Sequence, residues 1–168
     1  GPGTTMDEQD AKILKALSDH GQTSSKAIQD ITGIPKSTVH YRLKRMKEKG
    51  IIEDELYNVD LEALGLGLTV ITEVFAEFDD GYHQEVGEKL SEIEGVNSVY
   101  FTMGDTDFIV VAHLPSRERV ETLVAEYEKI EEINRTSSNY VISTIKEEMA
   151  PLRNYELETL EELIPEEQ

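Results

Sequence analysis

The sequence predicts an α+β protein in which a three-helix module is followed by a β-α-β-β-α-β module. Two observations predict this arrangement. Apolar residues recur at helical spacing up to about residue 50, and β-branched residues alternate with polar ones from residue 66 onward. The charge also divides: residues 1–52 hold nine Lys or Arg and six Asp or Glu, net +3, whereas residues 53–168 hold seven and twenty-nine, net −22. The two segments are therefore expected to have different partners.

Three helices are predicted in the first module, over residues 6–17, 24–33 and 35–49. Ser24 or Ser25 can cap the second helix, and Gly33 suits its left-handed end. Pro35 fits the first turn of the third helix. Two helices joined by a turn of a few residues form a helix-turn-helix.

Residues 51–61 follow with alternating apolar positions and predict a short strand or hairpin, the wing of a winged helix-turn-helix. This module is placed at residues 6–60. The next segment, residues 61–66, is predicted to be a hinge because it lies between Asp60 and Gly67 and contains Gly65.

The second module, residues 67–148, is predicted to be ferredoxin-like, with an antiparallel sheet covered on one face by two helices. Its strands are expected at residues 66–78, 96–104, 107–114 and 136–147, and its helices at 82–93 and 116–130. The bare face of such a sheet must be buried, and self-association is the simplest way to bury it. The acidic tail, residues 149–168, is compatible either with a helix over 155–164 or with a frayed end.

Composition restricts the class of protein. The chain has no cysteine, so disulfides, thiolate metal sites and a cysteine nucleophile are excluded. Its most apolar stretch, residues 61–78, is interrupted by glutamates, so a cytoplasmic protein without a membrane partner is expected. The formal charge of −19 favours a source with a very salty cytoplasm, although an acidic partner-binding surface would have the same composition.

The third helix departs from this acidity. Six of the sixteen basic residues fall within fourteen positions, namely Lys36, Arg42, Lys44, Arg45, Lys47 and Lys49. At about 100° per residue, Val39, Leu43 and Met46 share the core face, and the opposite face collects Ser37, Tyr41 and Lys44. A solvated surface helix is the alternative interpretation, but the upstream helix and turn favour insertion into the major groove of DNA.

The predicted DNA-binding residues divide by chemistry. Hydroxyl and ring groups near the start of the helix can meet base edges, and long cations can neutralise phosphates. The candidates for base edges are Ser37, Thr38, His40 and Tyr41, and those for phosphate are Arg42, Lys44, Arg45 and Lys47. Lys36 is a further predicted DNA-binding residue.

The segment "AIQDITGIPKSTVHYRLKRMKEKGII" resembles the winged helix-turn-helix of the Lrp/AsnC, or feast/famine, transcription regulators. "LGLGLTVITEV", "GDTDFIV" and "RTSSNYVISTIK" resemble strands and the Gly-x-x-Asp turn of their C-terminal module, so the resemblance covers residues 6–147. Together with the acidity it suggests a halophilic archaeal source. Pro35 departs from the family, whose members often have a capping Ser there.

The resemblance implies a dimer formed through the sheets, often assembled into a tetramer or octamer, and a small effector, commonly an amino acid, between neighbouring modules. Carried over by position, the cleft residues are Gly104, Asp105, Asp107, Thr136 and Ser138. Carboxylates there can pair with an α-ammonium, and hydroxyls can receive an α-carboxylate. A tight turn and solvent-facing strand hydroxyls remain the alternative.

Neither an enzyme nor a bound metal or cofactor is expected. The four histidines stand at least twenty residues apart, and the chain has no Gly-rich phosphate loop or Gly-x-Ser-x-Gly motif. Two function classes remain: a sequence-specific regulator that binds palindromic double-stranded DNA, and an effector-sensing or architectural oligomer that binds DNA weakly and nonspecifically.

Overall fold

The computed structural model describes residues 6–21, 24–53, 60–77, 81 and 83–165. The helices are α1 (Glu8–His20), α2 (Ser25–Thr32), α3 (Lys36–Glu48), α4 (Leu61–Leu64), α5 (His83–Ser91), α6 (Arg117–Glu128) and α7 (Leu157–Glu162), with a 3₁₀ turn at Pro151–Asn154. The strands are β1 (Leu68–Ala76), β2 (Val96–Phe101), β3 (Phe108–Leu114) and β4 (Ile133–Tyr140). The chain forms two compact units, one of residues 1–58 with 146–168, and one of residues 59–145.

The first unit is built on α1, α2 and α3. Asp7 begins α1 through a capping box with Asp10, and Ser24 begins α2 by accepting a hydrogen bond from the Ala27 N–H group. Gly33 ends α2 in the left-handed conformation, with φ 78°, which confirms the predicted turn between the two helices. The three helices enclose a core whose buried residues are Ile13, Ala16, Ile28, Ile34, Val39 and Met46.

The C-terminal residues belong to this same unit. The predicted helix over 155–164 is found as the shorter α7, preceded by the 3₁₀ turn, and both pack against α1. The expected wing falls largely on residues outside the described part of the chain, and Ile51–Glu53, which are described, form no strand.

The second unit is the ferredoxin-like module, so the predicted fold class is confirmed. Its antiparallel sheet has the order β2-β3-β1-β4. Val70, Thr72 and Val74 of β1 point to the helix-covered side and are fully buried, as their alternation predicts. The core on this side joins the strands to α5 and α6, and its largest buried residues are Phe108, Leu90, Leu123 and Tyr127.

Two predicted segments differ from the structure. The last strand covers residues 133–140, so it begins three residues before and ends seven residues before the predicted 136–147, and Ile142 and Ile145 beyond it are exposed. The reason is its antiparallel partner: the Val141 N–H group donates to the Thr69 oxygen, and β1 begins at Leu68, so later residues have nothing to pair with. The predicted hinge at 61–66 contains the helical turn α4, which Asp60 caps.

No helix in the described part of the chain is long and apolar enough to cross a membrane.

Candidate nucleic-acid interface and effector region

Helix α3 starts without a side-chain cap of its own. Pro35 occupies the capping position, with φ −54° and ψ 139°, and Lys36 is the first helical residue. The Gln29 Oε1 atom of α2 accepts a hydrogen bond from the Lys36 N–H group at 2.8 Å. A residue of the preceding helix therefore provides the oxygen that Pro35 lacks, and it ties the two helices of the helix-turn-helix together.

A Gln29→Ala variant is expected to destabilise the start of α3 by about 1 kcal/mol, because one N–H group at the helix N-terminus loses its partner. Amide hydrogen exchange of Lys36 and the following residues measures this change. Gln29→Glu, which keeps an acceptor oxygen, is the control and should retain the protection of Lys36. Equal protection in Gln29→Ala and the wild type would contradict this role.

The burial of α3 follows its predicted faces. Val39 and Met46 are fully buried and Leu43 packs on the same core, whereas Tyr41 on the opposite face is 62% exposed. Most of the predicted DNA-binding residues are exposed, namely Lys36, Ser37, His40, Tyr41, Lys44 and Lys47, and Thr38 and Arg45 are half-buried beside them. The described part of α3 thus presents hydroxyl, aromatic and cationic groups on one exposed side.

Arg42 has a different environment from the other predicted phosphate ligands. Its Nη1 atom lies 2.5 Å from Asp7 Oδ2 and 3.1 Å from Asp10 Oδ1, and its side chain is only 18% exposed. Asp10 is buried at 4% exposure. The guanidinium therefore connects α3 to the start of α1.

The charges of this cluster affect one another. Burial raises the pKa of Asp7, but the hydrogen bonds from Arg42 and from backbone N–H groups outweigh it, and the pKa lies below its usual value. The hydrogen bond to Asp7 also raises the pKa of Arg42, so it stays charged. Asp7 and Arg42 are therefore both charged near neutral pH.

An Asp7→Asn variant should be less stable than the wild type at pH 7 by no more than about 1 kcal/mol, because Asp7 is half exposed. Since the folded-state pKa of Asp7 is lowered, its contribution is complete above the unfolded value of about 3.9 and disappears as the pH falls through the folded value. Denaturation of both proteins between pH 7 and pH 2 tests this. A difference that does not shrink below about pH 4 would contradict it.

The predicted effector residues lie at one end of the sheet. Gly104 and Asp105 are exposed in the turn between β2 and β3, where Gly104 has a φ of 132°. The Asp107 N–H group donates to the Val74 oxygen at 3.1 Å, and Asp107 Oδ2 accepts from the Ala76 N–H group at 2.8 Å. Asp107 thus fastens the turn to the last residues of β1.

Thr136 and Ser138 lie on the other side of β1 from Asp107. Thr136 is paired with Val74, whose oxygen also receives the Asp107 N–H group, so Asp107 and Thr136 flank the same residue. The Ser138 hydroxyl lies 2.9 Å from that of buried Thr72. Both strand hydroxyls are half-buried on the helix-covered side.

Sequence reasoning missed the carboxylates that hold Arg42 and the amide of Gln29. The capping box of Asp7 and Asp10 is visible as a spacing of three before an apolar run, but its contact with α3 requires the tertiary structure. Among the described residues, no group of three or more His, Cys, Asp or Glu is arranged to hold a metal ion.

Comparison with known proteins agrees with this architecture. Residues 6–53 match the model of a winged helix-turn-helix DNA-binding domain, and residues 69–151 match the Lrp/AsnC ligand-binding domain. An HTH-type transcriptional regulator of Pyrococcus furiosus is 32% identical over 146 residues, which cover 86% of this chain and 97% of the relative. The regulator FL11 of Pyrococcus horikoshii is 30% identical over 142 residues, covering 84% and 93% of the two chains.

Solved structures show the same fold. AsnC of E. coli superposes with a TM-score of 0.75 at 22% identity, over 84% of this chain and 95% of that one. A transcriptional regulator of Neisseria meningitidis in complex with L-Met superposes with a TM-score of 0.78 at 20% identity, over 87% and 96%. The chain belongs to the Lrp/AsnC family and is a transcriptional regulator with a helix-turn-helix DNA-binding unit and a ligand-binding unit.

Proposed function

We propose that the protein regulates transcription by binding specific palindromic DNA as a symmetric dimer or larger homo-oligomer. Two copies of α3 enter successive major grooves about 34 Å apart on one face of the duplex. One observation carries the proposal: α3 exposes Ser37, Tyr41 and Lys44 opposite the buried Val39 and Met46, within a unit of the winged helix-turn-helix class.

The residues of α3 then have separate tasks. Ser37, Thr38, His40 and Tyr41 meet base edges near the start of the helix, where a recognition helix approaches the bases. Lys36, Lys44, Arg45 and Lys47 neutralise phosphates, and Arg42 orients the helix through Asp7 and Asp10.

The homo-oligomer is supported by the bare face of the sheet. Ile71 and Tyr100 are exposed on this face, and Ile109 and Val111 lie beside them half-buried. An apolar sheet surface is stabilised when a second copy covers it, and a twofold axis also places two α3 helices for a palindrome.

Salt-matched binding to a selected operator and to random DNA tests the proposal. Selection of genomic fragments by the purified protein provides the operator. A specific regulator should bind it on the order of 10³-fold more tightly than random DNA. Equal affinity for the two would overturn the proposal and would favour the other class, an architectural oligomer that binds DNA without specificity.

The effector is proposed to be an amino acid held near Gly104, Asp105, Asp107, Thr136 and Ser138. The ligand-binding domain match and the L-Met complex of the Neisseria regulator support this class of ligand. Asp105 is exposed and suited to pair with an α-ammonium, whereas the carboxylate of Asp107 already accepts from the Ala76 N–H group.

Calorimetric titration with an amino-acid panel tests the effector. Asp105→Asn should weaken binding of the active amino acid on the order of tenfold, since a charged hydrogen bond is replaced by a neutral one. Glu121→Gln, which removes an exposed carboxylate from α6, is the control and should leave the affinity unchanged. The same loss in both variants, or binding by no amino acid, would contradict the proposal.

A further inference from the structure

The C-terminal strap, residues 151–162, is fastened to the DNA-binding unit by polar contacts with α1. Lys15 Nζ donates to the backbone oxygens of Leu152 at 3.2 Å and of Arg153 at 3.4 Å. In return, Arg153 Nε donates to the backbone oxygen of Ser18 near the end of α1. The donors and acceptors come from both elements, so the contact is reciprocal.

The strap is also packed through apolar residues. Leu160 of α7 is 4% exposed, and α7 packs against α1. Ala11 of α1 is fully buried although it lies outside the core shared by α1, α2 and α3. Leu163, one turn from Leu160, is 66% exposed and therefore contributes little to the packing.

The strap begins where the match to the ligand-binding domain ends. The ligand-binding domain match ends at residue 151, where the 3₁₀ turn begins, and the Pyrococcus furiosus relative is matched over 97% of its own length by 86% of this chain. The contact with α1 is thus made by a segment that follows the matched domain.

The strap does not cover the DNA-reading side of α3. Its main packing partner in the described structure is α1, and Tyr41 remains 62% exposed. Simple steric blocking of DNA is therefore not its role.

Connectivity gives the strap a different consequence. The sheet unit, Val59–Ile145, is joined to the DNA-binding unit at both of its ends, because the chain returns to α1 after β4. The return path runs through residues 141–150 between Tyr140 and Pro151. Ten residues span at most about 35 Å when fully extended. A single flexible connection leaves a module free to reorient, whereas a second short connection removes part of that freedom.

We propose that the strap is a specificity-determining element that restricts the distance and helical phase between the two DNA half-sites. This inference rests on the proposed palindromic binding. With the strap docked, each DNA-binding unit is held by two connections, and only half-sites at one spacing can be occupied together. With the strap released, a single connection remains and other spacings become accessible.

The test uses Leu160→Asp, which places a charge at the packed position and should release the strap, in the full-length protein. Leu163→Asp, the same change at the exposed neighbour, is the matched control. Amide hydrogen exchange of α1 near Ser18 reports release: protection should fall in Leu160→Asp and stay at the wild-type level in Leu163→Asp.

DNA binding is then measured on operators whose half-sites are separated by about 5 additional base pairs, half a helical turn. The wild type and Leu163→Asp should lose affinity on the order of 100-fold, and Leu160→Asp less than about tenfold, because its freed units can reorient. The same spacing profile in all three proteins would overturn the inference, as would unchanged protection of α1 in Leu160→Asp.

A second readout requires no operator and separates this inference from the proposed function. Nitrogen-15 relaxation measures the rotational correlation time of each unit. In Leu160→Asp, the amides of α3 should tumble faster than those of β1, while the two units of the wild type and Leu163→Asp should tumble together. If the two units of the wild type tumble together but the protein does not discriminate operator from random DNA, the proposed function is contradicted. If the two units of the wild type tumble independently, the inference about the strap is contradicted.

Discussion

Replacing Arg42 by alanine is expected to lower the unfolding free energy of the DNA-binding unit by about 3 kcal/mol, because the change leaves the buried Asp10 without its charged partner. Asp7 loses the same partner but is half exposed and contributes less. Hydrogen exchange of α1 and α3 amides measures the loss in this unit alone. Helix α3 then loses its attachment to α1, so DNA affinity should fall together with stability.

Arg45→Ala is the matched control on the same helix. It should change the stability by less than about 0.5 kcal/mol, as is usual for substitutions outside the core. Its effect should be on DNA, with weaker binding to every sequence and a slope of log affinity against log salt reduced by about 0.9, the value for one phosphate contact. If Arg42→Ala were as stable as Arg45→Ala, the structural role of Arg42 would be contradicted and Arg42 would again be a candidate phosphate ligand.

A Tyr41→Ala variant is expected to change which sequences are preferred, with a loss of about 1–3 kcal/mol of discrimination at the base pair that Tyr41 contacts. Tyr41 is well exposed at the face opposite the core, so the folded state should be unaffected. Selection from a randomised operator library, followed by comparison of base preferences at each position, measures the effect.

Two further variants show which property of the Tyr41 side chain is responsible and whether the effect is specific to α3. Tyr41→Phe retains the ring and loses the hydroxyl, so it distinguishes apolar contact with a thymine methyl from a hydrogen bond to a base edge. Tyr140→Ala removes a half-exposed tyrosine of β4, outside α3, and should leave the base preferences unchanged. Base preferences in Tyr41→Ala identical to those of the wild type would remove Tyr41 from the reading residues.

The helix-turn-helix could be predicted closely because its signals are local. Ser24 and Gly33 act within one turn of their own helix, and a helical period places Val39 and Met46 on one face irrespective of the rest of the chain. The same holds for the alternation of Val70, Thr72 and Val74 in β1.

The end of β4 could not be predicted in this way. The residues from Val141 to Ile145 have the β-branched composition of a strand, but a strand needs a neighbour, and β1 begins at Leu68. The limit of β4 is therefore determined by residues about seventy positions away, which no local pattern contains.

The effector region shows the same division. The turn at Gly104 and Asp105 follows from the local sequence, as does the alternation that places Thr136 and Ser138 on one side of β4. Strand order and register, in contrast, determine two hydrogen bonds of this region. The Ala76 N–H group donates to Asp107, and the hydroxyls of Ser138 and Thr72 lie within hydrogen-bond distance.

The amino-acid sequence by itself determined the two-module order, the exposed face of α3 and the concentration of positive charge on that helix, because these depend on spacing along the chain. Only the tertiary structure decided that Arg42 binds Asp7 and Asp10, that Gln29 serves the start of α3, and that the acidic C-terminal segment returns to α1. Each of these contacts joins different elements, up to 138 positions apart in the chain for Lys15 and Arg153, and its energy depends on distance in space rather than in sequence.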